Sequence, residues 1–252
     1  MNAPRLPPRH PLVIIPSRLA ATRLPRKPLA LIAGEPMIVH VWRRAVESGI
    51  GPVIIACDSP EIASVIEKAG GKAILTNPDH PSGSDRIWEA LNAVEGNAVY
   101  DAVINLQGDL PTIDPAAIRA AWDILQDSNV DIGTLVTETR NDEERAAPQV
   151  VKAALDLAPG SSRGRALYFS RVPLPSGEGP IYHHIGIYAY RRTALEQFVA
   201  APPAPLEMRE KLEQLRALAM GLRIDAAVTS TVPFGVDTPD DLEAARKLMG
   251  AS

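Results

Sequence analysis

Short apolar runs alternate with amphipathic segments through the first half of the chain, and this alternation limits the possible folds more than any other feature. In chain order it predicts strands at residues 12–16, 53–57, 72–76 and 102–106, and helices at residues 37–49, 60–69, 84–94 and 115–126. Strands that are apolar on both faces and separated by helices are typical of a parallel sheet covered on both sides. We therefore predict a three-layer α/β fold in which helices flank a mostly parallel sheet.

The pattern changes after about residue 140, where strand-like runs follow one another with few helices between them. The remaining predicted elements are strands at residues 150–155, 165–169, 185–190 and 224–228 and helices at residues 206–220 and 240–249. We predict that residues 11–252 form a single domain, in which roughly residues 150–220 make a smaller β-rich lobe suited to dimer contacts. Residues 1–10 hold three prolines and no apolar run of signal-peptide length, so they predict a flexible tail.

The composition argues against several classes of protein. Hydrophobic residues make up 46% of the 252 positions, which is enough to bury a sizeable core. The formal net charge of -4 argues against general nucleic-acid binding, which needs a strongly positive surface. No apolar run approaches the ~20 residues of a membrane-spanning helix, and one cysteine, Cys57, excludes a disulfide framework. We expect a soluble, cytoplasmic protein without nucleic-acid or membrane partners.

A basic loop follows the first predicted strand, at the sheet edge where parallel α/β folds bind ligands. Its cations are Arg18, Arg23, Arg26 and Lys27. The loop contains neither a P-loop nor a dinucleotide-binding glycine motif, so backbone amides are not the predicted phosphate ligands. Arginine and lysine side chains held by prolines could clamp a triphosphate instead. Charge alone leaves a second interpretation open, which is a solvated basic surface loop.

Two aspartates are candidate ligands of a magnesium ion. Asp109 follows the fourth predicted strand and Gly108, and its alternative role is to bond the backbone of a turn. Asp237 precedes the last helix, which either it or Thr238 could cap, with Pro239 at the first helical position. The functional interpretation adds that Asp237 shares a metal ion with Asp109, and both roles fit in one short loop.

Two further segments contain side chains that could bind a ligand or a metal ion. The sequence His-Pro-Ser-Gly-Ser at residues 80–84 leads into a helix, where it could contact a base or ribose, or where a serine could only cap the helix. His183 and His184 could bind zinc, but no third ligand lies at metal spacing.

Several short motifs occur in the order found in one known family. They are Ile-Ile-Pro-Ser-Arg at residues 14–18, Arg-Leu-Pro-Arg-Lys-Pro-Leu at 23–29, Ser-Gly-Ser-Asp-Arg at 82–86, Asn-Leu-Gln-Gly-Asp at 105–109, Ala-Leu-Tyr-Phe-Ser-Arg at 166–171, His-Ile-Gly-Ile-Tyr at 184–188, Leu-Glu-Gln-Leu-Arg at 212–216 and Gly-Val-Asp-Thr-Pro at 235–239. The chain resembles the cytidylyltransferases that activate 3-deoxy-manno-octulosonate (KDO), also called CMP-KDO synthetases, over about residues 11–249.

The resemblance implies a Rossmann-like nucleotidyltransferase that converts CTP and KDO into CMP-KDO and pyrophosphate for lipopolysaccharide biosynthesis. It implies Mg²⁺ as cofactor and a homodimer formed largely by the smaller lobe. It assigns the catalytic roles to Arg18 and Lys27, which grip the CTP phosphates, and to Asp109 and Asp237, which bind the metal. Further positions implied for CTP are Pro16, His80, Ser82, Gly83 and Ser84. Those implied for the sugar acid are Arg23, Gln107, Arg171, His184, Tyr188, Glu213 and Gln214.

The sequence departs from the family pattern at a few positions. Leu110 stands where many members have glutamate, and Cys57 stands where threonine is usual. The stretch between Arg171 and His183 is also shorter than in many members and borders the implied sugar site. Two alternatives therefore stay open: activation of a related sugar acid, such as 8-amino-KDO or a sialate, and a non-catalytic nucleotide-binding regulator.

Overall fold

A computed structural model of the chain describes residues 5–20 and 23–250. Its strands are β1 (Pro11–Ser17), β2 (Leu31–Ile32), β3 (Glu35–Pro36), β4 (Val53–Cys57), β5 (Lys72–Leu75), β6 (Ala102–Asn105), β7 (Ile132–Glu138), β8 (Lys152–Asp156), β9 (Arg163–Ser170), β10 (Tyr182–Arg191) and β11 (Ile224–Val228). Its helices are α1 (Met37–Glu47), α2 (Pro60–Lys68), α3 (Gly83–Ala93), α4 (Pro115–Ile124), α5 (Asp142–Ala146), α6 (Arg192–Ala200), α7 (Pro205–Glu210), α8 (Gln214–Ala219) and α9 (Pro239–Leu248). Strands and helices together make a mixed α/β fold.

The chain divides into two compact units. Among the described residues, the first unit contains residues 9–20, 23–119 and 233–250, and the second contains residues 5–8 and 120–232. The predicted lobe at residues 150–220 lies within the second unit. Of the predicted tail, residues 1–4 lie outside the described residues, and residues 5–10 have no regular secondary structure.

The first unit contains the parallel sheet that the sequence predicts. Its strands lie in the order β5-β4-β1-β6, and each neighbouring pair runs parallel. Leu12, Val13, Ile14 and Ile15 of β1 are fully buried, as expected for a strand covered on both faces. Because all four strands point the same way, the segments that follow them meet at the carboxyl edge of the sheet.

A hydrophobic cluster in the first unit joins the basic loop to the end of the chain. It consists of Leu24, Ile32, Met37, Val236, Leu242 and Ala245, all buried. Leu24 belongs to the basic loop, whereas Val236 precedes Asp237 directly. Burial of these apolar side chains therefore holds two distant segments of the sequence together.

The second unit contains a mostly antiparallel sheet with the strand order β10-β7-β11-β9-β8. Only β7 and β11 run parallel in this set, and β8 also pairs with β10. Strand β7 and helices α5 and α6 were not predicted, so this part of the chain contains more helix than its sequence pattern indicates.

The prediction of one long helix at residues 206–220 is wrong. The segment forms two short helices, α7 and α8, because Lys211 has a left-handed backbone conformation with φ of 55°. The guanidinium of Arg216 on α8 donates to both carboxylate oxygens of Glu207 on α7, at 2.8 and 2.5 Å. This buried ion pair links the two helices across the break.

Within the described residues, none of the helices combines the length and apolar character that a membrane span requires.

Candidate active site

A cleft with a volume of about 260 Å³ opens at the carboxyl edge of the first-unit sheet. The residues that line it come from the ends of β1 and β6, the basic loop and the segment before α9: Pro16, Ser17, Arg18, Arg23, Leu24, Lys27, Pro28, Gln107, Gly108, Asp109 and Asp237. We call it the first cleft. It brings together all four residues that the family resemblance implies to be catalytic.

Local packing explains why residues so far apart in sequence meet in the first cleft. The backbone amide of Lys27 donates to Leu24 O at 3.1 Å, and Leu24 is anchored in the hydrophobic cluster that also contains Val236. The amide of Val236 donates to Asp109 O at 3.0 Å. These contacts fix the backbone beneath Lys27, Asp109 and Asp237 without using their charged groups.

Lys27 links the two aspartates directly. Its ammonium donates to Asp109 Oδ2 and to Asp237 Oδ1, each at 2.9 Å. Burial alone would lower the pKa of Lys27, but the two carboxylates, Asp109 foremost, outweigh it and raise that pKa above its usual value. Lys27 is therefore a cation throughout the physiological pH range.

The segment before α9 divides two roles between neighbouring residues. Thr238 caps the helix: its hydroxyl accepts from the Asp241 amide, and the Asp241 carboxylate accepts from the Thr238 amide. Asp237 is not the cap, so its carboxylate faces the first cleft, where Arg23 also contacts it at 3.2 Å. Of the two capping residues that the sequence allowed, the structure selects Thr238.

The cations of the basic loop have different surroundings. Lys27 and Arg23 contact the cleft carboxylates, whereas Arg26 pairs with Glu61 and does not line the first cleft. Arg18 is exposed at the cleft and makes no hydrogen bond or ion pair with any residue that the structure describes. Of these four cations, Arg26 alone does not line the first cleft.

Gly108 allows the strand end to lie close to β1. A Cβ atom at this position would lie 3.0 Å from the carbonyl oxygen of Pro16 and 3.4 Å from Ile38 Cδ1. The backbone oxygen cannot move aside as a flexible side chain could. A side chain at this position would therefore push the segment that carries Asp109 away from β1 by a few tenths of an ångström.

A second cavity, of about 220 Å³, lies in the same unit next to the N-terminus of α3. It is lined by Pro16, Ser17, Arg18, His80, Pro81, Ser82, Gly83, Arg86 and Gln107. Pro16, Ser17, Arg18 and Gln107 line both spaces, so the second cavity and the first cleft share one wall.

The two serines of residues 80–84 have different surroundings. Ser82 is the N-cap of α3, since its hydroxyl accepts from the Asp85 amide at 3.2 Å. Ser84 is almost fully buried and lines neither space. His80 lines the second cavity, and its ring bonds the carboxylate of Glu89. Within residues 80–84, the cavity is therefore shaped by His80, Ser82 and Gly83.

The other residues implied for the sugar acid lie in the second unit. His184 Nε2 and Thr134 Oγ1 are 2.9 Å apart, and the Thr134 hydroxyl donates to Ile187 O at 2.8 Å. In the tautomer that carries its hydrogen on Nε2, His184 donates to the Thr134 hydroxyl, which leaves the single hydroxyl hydrogen for Ile187 O. The ring of Tyr188 lies 5.4 Å from that of His184, and burial raises the Tyr188 pKa well above its usual value.

Arg171 is oriented by main-chain oxygen atoms near the end of α7. Its guanidinium donates to the carbonyl oxygens of Glu210, Lys211 and Pro148 at 2.9, 3.2 and 3.2 Å. In the same unit, Gln214 is buried, and the carboxylate of Glu213 contributes to the raised Tyr188 pKa after burial and Tyr190.

No group of three or more histidine, cysteine, aspartate or glutamate side chains suited to a metal ion occurs in residues 5–20 and 23–250. His183 bonds Glu144 at 2.9 Å, whereas His184 bonds Thr134, so the two rings have separate partners. The structure therefore gives no support to zinc at the histidine pair.

The sequence interpretation missed two polar side chains that line these spaces. Ser17 lines both the first cleft and the second cavity, and its buried hydroxyl has no hydrogen-bond partner. Arg86 lines the second cavity although it is almost completely buried. Both stand inside motifs that carry the family resemblance, so position in the motif was the available signal.

Burial of His184 predicts a loss of stability in acid. Burial, followed by the charge of His183, lowers the His184 pKa from 6.5 to about 3. Between these values the unfolded chain binds a proton that the folded chain does not. The free energy of unfolding therefore falls as the pH drops through this window, by about 1.4 kcal/mol for each pH unit.

Urea unfolding of wild type and His184→Gln at pH 7, 6, 5 and 4 measures this contribution. The variant should show the shallower dependence on pH. His10→Gln, at an exposed histidine, is the matched control and should behave as wild type. Identical slopes in wild type and His184→Gln would contradict the assignment.

Comparison with solved structures defines the class of protein. The chain matches the structure of a CMP:2-keto-3-deoxy-manno-octonic acid synthetase complexed with CTP, with a TM-score of 0.88, 38% identity and coverage of 96% of this chain and 99% of the other. It also shares its fold with a nucleotidyl transferase from Methanothermobacter, with a TM-score of 0.58, 16% identity and coverage of 95% and 97%. The mixed α/β fold of this chain is therefore one that nucleotidyltransferases have.

Sequence comparisons identify the family of nucleotidyltransferases to which the chain belongs. The family model for cytidylyltransferases matches residues 12–224. A 3-deoxy-manno-octulosonate cytidylyltransferase of Paramagnetospirillum magneticum is 58% identical over 96% of this chain and 98% of its own length. One from Methylobacterium radiotolerans is 62% identical over 95% and 96%. The chain belongs to the 3-deoxy-manno-octulosonate cytidylyltransferase family.

Proposed function

We propose that this enzyme transfers the cytidylyl group of CTP to KDO and releases pyrophosphate. The observation that carries the proposal is the position of Lys27 between Asp109 and Asp237, in a cleft at the carboxyl edge of the parallel sheet. A cation held beside two carboxylates, with Arg18 free at the same cleft, is an arrangement suited to a nucleotide triphosphate and its metal ion. Full-length similarity to enzymes named for KDO supports the choice of sugar acid.

Arg18 and Lys27 would bind the phosphate groups of CTP. Arg18 has all of its guanidinium donors available to phosphate oxygens, since no described residue engages them. Lys27 supplies a fixed positive charge, because its raised pKa keeps it protonated. Both cations would stabilise the negative charge that passes to the leaving pyrophosphate.

The residues of the first cleft fit a magnesium ion. Asp109 and Asp237 present oxygen ligands within reach of a single ammonium group, and Mg²⁺ in proteins is commonly held by one or two carboxylates together with substrate phosphates. These two residues would hold the ion. When bound, Mg²⁺ neutralises phosphate charge and makes an attacking hydroxyl more acidic.

The remaining contribution of the chain is positioning. Nucleotidyl transfer depends on alignment and charge neutralisation more than on covalent chemistry at a protein side chain. Neither histidine nor glutamate lines the first cleft, so we assign no side chain as general base. The chain would act by holding the anomeric hydroxyl of KDO in line with the α-phosphorus of CTP.

The sugar acid would contact Arg23 and Gln107 at the first cleft. The resemblance also implies Arg171, His184, Tyr188, Glu213 and Gln214 for the sugar acid, and these residues belong to the second unit. We further propose the three-layer arrangement of the fold, a homodimer formed through the β-rich lobe, and a cytoplasmic location. These proposals rest on the family resemblance. Light scattering after size-exclusion chromatography tests the dimer, and a monomer at all protein concentrations would contradict it.

A pyrophosphate-release assay with CTP, Mg²⁺ and KDO tests the function. We expect release that requires all three, together with formation of CMP-KDO detected by mass spectrometry. Replacing KDO by 8-amino-KDO or by a sialate tests the choice of sugar acid. Binding of CTP without pyrophosphate release, whichever sugar acid is supplied, would refute the proposed reaction.

A further inference from the structure

Arg86 is a buried cation that lines the second cavity. It lies on α3, and only 3% of its surface is exposed. Taking a guanidinium out of water is costly unless a carboxylate or a full set of hydrogen bonds compensates it. Across residues 5–20 and 23–250, no acidic side chain forms an ion pair with Arg86.

The hydrogen bonds of Arg86 orient its guanidinium but leave donors unused. One nitrogen, Nη1, donates to Thr76 Oγ1 at 2.6 Å, and Nη2 donates to Pro78 O at 3.4 Å. The Thr76 hydroxyl donates onward to Cys57 O at 3.1 Å, which fixes it as an acceptor for Arg86. The other donors, Nε–H among them, have no partner in the described part of the chain. Glu89, on the same helix, is occupied by His80 and by the Asn77 amide.

The polar groups of the second cavity are mainly donors. Its lining contains the guanidinium groups of Arg18 and Arg86, but no carboxylate. The buried hydroxyl of Ser17 also lacks a partner. A ligand that presents hydrogen-bond acceptors would therefore compensate charges and dipoles that the protein leaves uncompensated.

We propose that Arg86 is a specificity-determining residue that selects cytosine by donating hydrogen bonds to the base atoms O2 and N3. The proposal rests on CTP being the nucleotide substrate, and it identifies how the site distinguishes CTP from UTP. Cytosine presents O2 and N3 as neighbouring acceptors, which match the parallel donors of a planar guanidinium. Uracil carries hydrogen on N3, so donor would face donor at this position.

Kinetics with CTP and UTP test the proposal in Arg86→Met and Arg86→Lys. Loss of a hydrogen bond to a charged group predicts a fall of about 10- to 100-fold in kcat/KM for CTP, with a much smaller change for UTP. The ratio of the two values should therefore fall toward one. Arg86→Lys keeps the positive charge and loses the planar fork, so it carries the test if Arg86→Met does not fold.

Arg119→Met is the matched control. Arg119 also donates to a backbone carbonyl, Ser48 O at 3.2 Å, but it lines neither the first cleft nor the second cavity. Its CTP-to-UTP ratio should equal that of wild type. Equal losses for CTP and UTP in the Arg86 variants would show that the residue only supports the fold, and would overturn the proposal.

Calorimetric binding of CTP and of UTP, without any sugar acid, separates this proposal from the proposed function. Selective binding of CTP by wild type, lost in the Arg86 variants, would support the role of Arg86 even if no sugar acid released pyrophosphate. Release of pyrophosphate with KDO, combined with unchanged nucleotide selectivity in the variants, would support the function and reject the role of Arg86.

Discussion

Asp109→Asn is expected to lower kcat/KM for CTP by about a thousandfold while the Tm stays within a few degrees of wild type. The carboxylate lines the first cleft, is 30% exposed and contacts Lys27, and it does not belong to the buried core. Asparagine keeps the shape of the side chain and removes its charge, so the effect reports on electrostatics. Pyrophosphate release at saturating Mg²⁺ and thermal unfolding are the two measurements.

Asp123→Asn is a suitable control for Asp109→Asn, because Asp123 is an exposed acid on α4 outside the cleft. It should retain wild-type kinetics. Near-native turnover by Asp109→Asn at saturating Mg²⁺ would mean that Asp109 is not a metal ligand, and the proposed arrangement of the cleft would have to be abandoned.

Lys27→Met is expected to lose about 3 kcal/mol of transition-state stabilisation, or roughly 100-fold in kcat/KM. Methionine removes the positive charge near the triphosphate and leaves Asp109 and Asp237 facing each other without a bridging cation. Repulsion between the carboxylates should lower the Tm of the metal-free protein at low ionic strength, and added salt should restore part of the loss.

Lys68→Met provides the comparison for Lys27→Met, since Lys68 is an exposed lysine at the end of α2. This control should show neither the kinetic loss nor the salt-dependent Tm. If Lys27→Met has wild-type kinetics, Lys27 contributes only to the charge balance of the ligand-free cleft.

The first unit was predictable because its strands are short, mostly apolar and bounded by clear helix signals. Ser59 and Ser82 cap α2 and α3, and Pro60 occupies the first position of α2. In a parallel sheet, ligands bind at the edge where the carboxyl ends of the strands lie. Residues that follow β1 and β6 could therefore be expected to meet at that edge. Lys27, Asp109 and Asp237 lie together because the parallel strands end at one edge and because Leu24 and Val236 are buried in the same hydrophobic cluster.

The second unit was harder to predict because its elements are fixed by contacts distant in sequence. Strand β7 contains Gly133, whose absent side chain leaves room for Ala121 O, and a glycine within an apolar run weakens the strand signal. The break between α7 and α8 depends on the positive φ of Lys211, a conformation for which lysine has no preference. Local propensity alone favoured one continuous helix there.

Within the site, charged residues in loops could be identified from the sequence, whereas a charged residue buried on a helix could not. Arg18 and Asp109 lie directly after predicted strands, and Lys27 lies in the loop that follows the first of them, where a ligand role is expected. Arg86 lies on a helix, where an arginine is normally a solvated surface residue, and only the packing of Thr76 and Pro78 around it reveals a buried cation.

The ligand-free first cleft is nearly electroneutral. Arg23 and Lys27 balance Asp109 and Asp237, which leaves Arg18 as the uncompensated charge among the described residues that line it. A nucleotide that enters the cleft therefore replaces ion pairs between protein side chains with ion pairs between the same cations and its phosphates. It does not enter a cleft with a large net positive charge. Association with CTP should accordingly slow less with rising ionic strength than the number of nearby arginines and lysines would suggest.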